Sequence, residues 1–361
     1  MDDILLELLQ IALGKRETLS RFPDGEAAWR ELMDTVSAQS LMGVTFPAIE
    51  KLYNADIVPT DIYCSWLVMV SRVKEMSALQ LKASQGLYQM FEHNKCRSCI
   101  LKGSSVAALY PEPQLRQSGD VDIWVDADRK RLVPALRAHF PVQKVVYHHC
   151  EFTLKGGLHV EVHFTPSWMN GYFANRRLQR WFAEMADRQF ANIDPQLGFA
   201  TPTLGFYGVY SLIHIYRHVL EEGIGLRQLM DYYYLLRHMT GEERASVYRE
   251  LRRLRMQGFA AAVMYVLREV FLLEDEYLLC PPDVKEGAFL LESVLCSGNF
   301  GRADKRNAHS ADETLMGHGR RKLRRNARLL FHYPAEVLGM PFFMLWQYLW
   351  RRRNAYLYKG R

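Results

Sequence analysis

The sequence lacks the marks of several protein classes. Val337–Trp350 is apolar-rich but only fourteen residues long, too short for a bilayer, which takes about twenty. The start, Met1-Asp2-Asp3, is acidic where a secretory leader carries lysines. Six cysteines are scattered along 361 residues, which favours free thiols in a reducing cytoplasm over a secreted disulfide scaffold. Cys96-x-x-Cys99, with His93 nearby, is half of a zinc site. No second pair follows at ligand spacing, and buried thiols at a helix–strand junction are the default. His214 and His218 lack the intervening glutamate of a zinc protease. Acid is scarce after residue 319, where eleven lysines and arginines face one glutamate, Glu336. The rest of the chain is therefore slightly acidic, and the basic character belongs to this end.

What is present is ordinary globular material, 49% apolar and 24% charged, enough for a substantial core and two or three domains. Residues 1–95 read as helices: Trp29, Leu32, Met33 and Val36 recur at helical spacing, and Thr60 caps a long stretch through about Phe91. Residues 96–198 form an α/β core, 199–296 a helical domain, 297–319 a polar, glycine-bearing linker, and 320–361 a basic aromatic tail. Arginine clusters around the aromatic stretch fit three readings: a helix docked on the body, a helix lying on an anionic membrane surface, or a nucleic-acid or protein partner.

The chemistry gathers between Ile100 and Phe164. Ser98–Lys102 reads as a strand entering Gly103-Ser104, with a helix over Ser104–Leu109 ended by Tyr110-Pro111. A second strand, Asp120–Asp126, carries Asp120 and Asp122 two residues apart, hence on one face. Further strands read at Val142–Tyr147, Glu151–Leu154 and His159–Phe164, with a hairpin turn at Gly156-Gly157. His159, Glu161 and His163 share a face, Glu161 as third metal ligand and the histidines either as participants or as orienting partners of a carboxylate. Carboxylates paired in this way hold Mg²⁺ or Mn²⁺ against the charge of a triphosphate and align an attacking hydroxyl. Gly103 admits close backbone approach to the β- and γ-phosphates, and Ser104 adds a hydroxyl. Lys102 and Arg116 each have two readings, a phosphate contact or a structural ion pair. Arg227 and Asp231 stand at i and i+4 of a helix, as an internal pair or a pocket wall.

The run Leu101-Lys102-Gly103, Tyr110-Pro111, Arg116, Asp120-x-Asp122-Ile123 and Glu161-x-His163 resembles an uncharacterised bacterial nucleotidyltransferase family of the DNA polymerase β-like superfamily. Gly223 to Asp231 (GIGLRQLMD) and Gly298-Asn299-Phe300-Gly301 resemble it too, so the likeness runs from about 80 to 305. It implies metal ligands at Asp120, Asp122 and Glu161 and phosphate contacts at Gly103 and Ser104. Lys102 stands where many relatives carry a small residue. The expected fold is α+β, a small mixed sheet flanked by helices. The expected activity is transfer of a nucleotidyl group from a nucleoside triphosphate, ATP foremost, to a hydroxyl of a protein, RNA, sugar or small molecule. The rival is a catalytically silent nucleotide-binding or interaction protein, toxin-like or polysaccharide-associated.

Overall fold

The computed structural model describes residues 2–298 and 325–355. The expected linker from Asn299 onward, and the basic run 320–324, lie outside them. The chain forms two compact units. The first takes Met1–Ala78, Ala107–Gln117 and the described part of His214–Arg321; the second takes Leu79–Val106, Ser118–Ile213 and the described part of Lys322–Arg361. The long helices α4 (Thr60–His93) and α8 (Leu204–Glu221) each contribute residues to both units.

The first unit is helical: α1 (Asp2–Ala12), α2 (Gly25–Ala38), α3 (Phe46–Asn54), α9 (Leu226–His238), α10 (Gly241–Arg253), α11 (Gln257–Phe271) and α12 (Val284–Ser297). Of the expected stripe on α2, Trp29, Leu32 and Val36 are buried and Met33 is half-buried. At Gly43 the packing is so close that a Cβ would sit 2.0 Å from the Leu115 carbonyl oxygen. A buried ion pair anchors the loop around Leu115. Arg116 grips Asp231 of α9 with two bonds, Nε to Oδ1 at 2.7 Å and an Nη to Oδ2 at 2.8 Å, and the Tyr110 hydroxyl donates to the same Oδ1 at 2.6 Å. The neighbouring Arg227 donates to the Gln117 carbonyl at 3.3 Å. Burial alone would raise the Asp231 carboxyl, but the Arg116 charge and hydrogen bonds hold it below its ordinary value.

The second unit carries the sheet, in the order β1-β2-β5-β4-β3. Its strands are β1 (Ser98–Ile100), β2 (Val121–Val125), β3 (Lys144–Val145), β4 (His149–Thr153) and β5 (His159–His163). Among the described residues of this sheet, β2 and β5 run parallel and the other pairings are antiparallel. The mixed sheet with helical flanks is the α+β fold expected. β1 and β3 are shorter than the sequence pattern suggests, and the helix after Gly103, α5 (Ser104–Ala107), is a single turn. Gly156 and Gly157, both at positive φ, make the expected turn between β4 and β5. One sheet face presents Val121, Ile123, Val160 and Val162, all fully buried. On this sheet Phe140, at the end of α6 (Arg129–His139), stacks on Phe152 with centroids 4.3 Å apart. The opposite face carries Trp124, whose ring meets Phe190 of α7 (Tyr172–Phe190) at 4.7 Å and Phe206 of α8 at 5.9 Å. Cys99 is buried in β1, Cys96 is half-buried, and all six thiols are free.

The last described helix, α13 (Pro334–Arg353), contains the aromatic stretch and packs on this unit along one side. Glu336, Val337 and Met340 are buried. The Glu336 carboxylate accepts from the backbone N–H of Asn170 at 2.6 Å and of Gly171 at 3.1 Å. Tyr147 makes edge contacts with Trp346 and Trp350, and the Arg129 guanidinium lies over the rings of Tyr147 and Trp350.

Removing one member of a buried ion pair leaves the other uncompensated, which costs about 3 kcal/mol or more. Asp231→Asn is expected to lower the unfolding free energy by about that amount in urea titrations at pH 7. Because the folded Asp231 carboxyl lies below its unfolded value, the wild-type advantage is complete above pH of about 4 and shrinks as acid protonates the group. An advantage unchanged at pH 3 would contradict this.

Candidate active site

Parallel pairing of β2 and β5 sets Val121 opposite Val160 and Asp122 opposite Glu161. The valines feed the core, and the alternation turns the acids to the other face. Asp120 precedes β2 and shares that face by the period of two. The result is a cluster in which Asp120, Asp122 and Glu161 each bring a carboxylate oxygen within 4.8 Å of the others. A second cluster overlaps it: His149, Glu161 and His163 meet the same limit. β4 and β5 are in register with His149 opposite His163 and Glu151 opposite Glu161. Across three strands, this end of the face is therefore built almost wholly from acids and histidines.

Three basic groups balance the acids. Lys102 Nζ lies 3.1 Å from Asp122 Oδ1. His163 Nε2 lies 2.9 Å from the same oxygen and 3.3 Å from Glu161 Oε2. His149 Nδ1 lies 3.1 Å from Glu161 Oε2. Burial would discharge His163, but Asp122 and Glu161 overcome it and push its pKa up to about 9. His149 moves up against burial for the same reason, through Glu151 and Glu161. Burial acts on Glu161 in the raising direction, and the two histidines hold it well below its ordinary value. Asp122 is likewise lowered against burial, by Lys102 and His163. Asp120 is raised, by burial and then by the Asp122 charge. It is the least compensated of the three.

Backbone geometry fixes the other edge. The Leu101 N–H donates to the Asp122 carbonyl at 2.8 Å, extending the β1–β2 ladder by one bond. Gly103 follows at φ +74°, where a Cβ would stand 2.9 Å from the Gln80 amide nitrogen. Gln80, fully buried on α4, donates to the carbonyls of Gly119 at 3.1 Å and Asp120 at 2.8 Å. One amide thus abuts the glycine turn and holds the chain entering the Asp-x-Asp strand. Ser104, buried, opens α5. Tyr210 of α8 is near enough that the carboxylates oppose its ionisation, adding to burial.

The candidates separate as follows. Asp120, Asp122 and Glu161 converge, and Lys102 reaches them as an ion-pair partner of Asp122. Gly103 and Ser104 continue directly from Lys102. Arg116, read either as a phosphate contact or as a structural ion pair, forms a bidentate pair with Asp231 within the first unit. His163 joins the cluster, whereas His159 is exposed, its Nδ1 3.2 Å from Thr153 Oγ1. His214 and His218 meet each other at 2.8 Å and belong to neither ligand cluster. Sequence reasoning missed Gln80, His149 and Tyr210. Of these only His149 left a trace, standing two residues before Glu151 on an alternating strand.

The donor set fits a divalent cation. It is dominated by carboxylate oxygen, as hard Mg²⁺ requires, with imidazole nearby that Mn²⁺ also accepts. Asp122 Oδ2 is buried with no hydrogen-bond partner, as an oxygen reserved for a cation would be.

A model of a family described as uncharacterised nucleotidyltransferases matches residues 25–272. The chain belongs to this family. The match takes in the whole cluster and both ion-pair partners of the first unit. No curated protein matches the chain. Among solved structures, an antigenic nucleotidyltransferase-like protein from Paracoccidioides brasiliensis is 12% identical, covering 54% of this chain and 93% of that one at a TM-score of 0.29. The Thermotoga maritima CCA-adding enzyme complexed with tRNA is also 12% identical, covering 75% and 80% at a TM-score of 0.21. The family match alone carries the assignment.

A nonglycine residue at the Gly103 backbone angles is strained by about 1–2 kcal/mol before any collision with Gln80. Gly103→Ala in this nucleotidyltransferase family member is expected to lower the melting temperature. Adding Gln80→Ala removes the collision but not the strain, and also frees the two carbonyls Gln80 holds, so the double variant stays below wild type. Full recovery would show that the angle at Gly103 imposes nothing.

Proposed function

We propose that this chain transfers a nucleotidyl group from a nucleoside triphosphate, ATP foremost, to a hydroxyl of an acceptor, in the cytoplasm and with Mg²⁺ or Mn²⁺. The observation that carries the reading is the convergence of Asp120, Asp122 and Glu161 on one sheet face, in a chain of a nucleotidyltransferase family. In this reading the three carboxylates hold the divalent ions, which when bound offset charge on the triphosphate and the attacking oxygen. Glu161 also stands ready to accept the hydroxyl proton, its own charge sustained by His149 and His163. The backbone at Gly103 and the Ser104 hydroxyl take the β- and γ-phosphates. Lys102 keeps Asp122 ionised before substrate arrives and meets the phosphate oxygens afterwards. Arg116 acts at a distance, by pinning the loop that leads into the Asp-x-Asp strand.

A second reading, nucleotide binding without turnover, draws on the same cations. Lys102 and His163 both bond Asp122 Oδ1, which supplies charge balance without a metal.

Incubation with each α-³²P-labelled triphosphate and cell lysate separates the two. Label is expected on one acceptor class, dependent on Mg²⁺ or Mn²⁺, and reduced about a hundredfold or more in Asp122→Asn. Equal labelling by both proteins would remove the aspartate from the mechanism; metal-dependent heat stabilisation by ATP with no pyrophosphate release would favour the silent reading. Mn²⁺ binding followed by electron paramagnetic resonance provides an activity-free check, with His163→Ala weakening affinity about tenfold.

A further inference from the structure

We propose that the outward face of α13 seats this chain on an anionic lipid surface. One side of the helix is already committed to the second unit through Glu336, Val337 and Met340. The opposite side is where a surface helix would carry charge, and here it is apolar. Leu338, Phe342, Leu345 and Leu349 fall at i, i+4, i+7 and i+11, a single stripe, and are 61%, 76%, 59% and 51% exposed. A stripe of this length left in water marks an interaction surface.

Charge identifies the occupant. The stripe runs into Arg351, Arg352 and Arg353, all exposed, and Arg352 lies over the Tyr348 ring at 5.1 Å. Glu336 is the helix's one acid, and it is turned inward onto two backbone N–H groups. An aliphatic and aromatic face bordered by arginine, with no outward acid on the helix, is the composition of helices that lie in a headgroup layer and sink their apolar side about 5–10 Å. A second copy of this chain would cover the leucines but bring no acid from α13 to answer the arginines. Nucleic acid would answer the arginines and leave the leucines wet. At the helix's beginning, Gly171, held by Glu336, is followed by Tyr172 and Phe173, 70% and 73% exposed. They add aromatic side chains of the kind that favour a water–lipid boundary. The inference does not depend on the catalytic reading.

The test is flotation of the full chain with phosphatidylcholine vesicles, with and without phosphatidylglycerol. Binding is expected with the anionic lipid and only weakly without it, and weakens with salt. Replacing Arg351, Arg352 and Arg353 by Gln lowers the partition coefficient about a hundredfold, at about a factor of five for each charge. Phe342→Ser alone lowers it about tenfold, and a variant with Ser at 338, 342, 345 and 349 abolishes it with the melting temperature unchanged. No flotation of the wild type, or equal flotation of the four-serine variant, overturns the proposal. So does a dimer in solution that the four-serine substitution dissolves while vesicles fail to bind.

Discussion

The register between β2 and β5 is the constraint on which the site depends. A parallel ladder that places Asp122 beside Glu161 also places Val121 beside Val160, so one alignment satisfies core and cluster together. A slip of one residue would drive Glu161 into the valine layer and a valine into the site, each at the cost of burying a charge or wetting an apolar side chain. The Gly156-Gly157 turn sets β5 against β4, and the His163–Asp122 contact spans the parallel pair from side chain to side chain. Hydrophobic burial on one face thus dictates electrostatics on the other.

Three carboxylates so close would not remain ionised without opposing charge. Lys102, His149 and His163 provide it, and each arrives from a different strand or strand end. Asp120 is left least compensated, at the mouth of the strand where Gln80 holds its backbone. Asp122 and Asp120 thus differ in compensation, the first lowered by Lys102 and His163 and the second raised by burial and the Asp122 charge. Arg116 and Asp231 show the other use of charge in this chain: a closed pair with Tyr110, buried and structural, in a unit of its own.

Much of the site was legible as alternation. The spacing of Asp120 and Asp122, the Glu161–His163 strand, the glycine turn at Gly156-Gly157 and the long helix from Thr60 are local patterns, and the α+β fold follows from them. Arg116 was ambiguous because a guanidinium beside an acidic strand looks the same whether its partner is a phosphate or a carboxylate 115 residues away. Gln80 gave no signal, being one amide among polar residues in a 34-residue helix. The tail illustrates the same limit: composition allowed docking, a membrane surface, or a nucleic-acid or protein partner, while the structure buries one side of α13 and leaves an apolar stripe on the other.

By itself the sequence determined which residues share a strand face, where glycine permits a turn, and which chemistry three carboxylates make available, because periods of two and 3.6 are properties of the backbone. Only the tertiary structure decided that Glu161 stands beside Asp122, that Lys102 and two histidines balance them, and that Arg116 belongs to Asp231. Those are contacts between segments far apart in the chain, and their choice rests on packing and charge compensation in three dimensions.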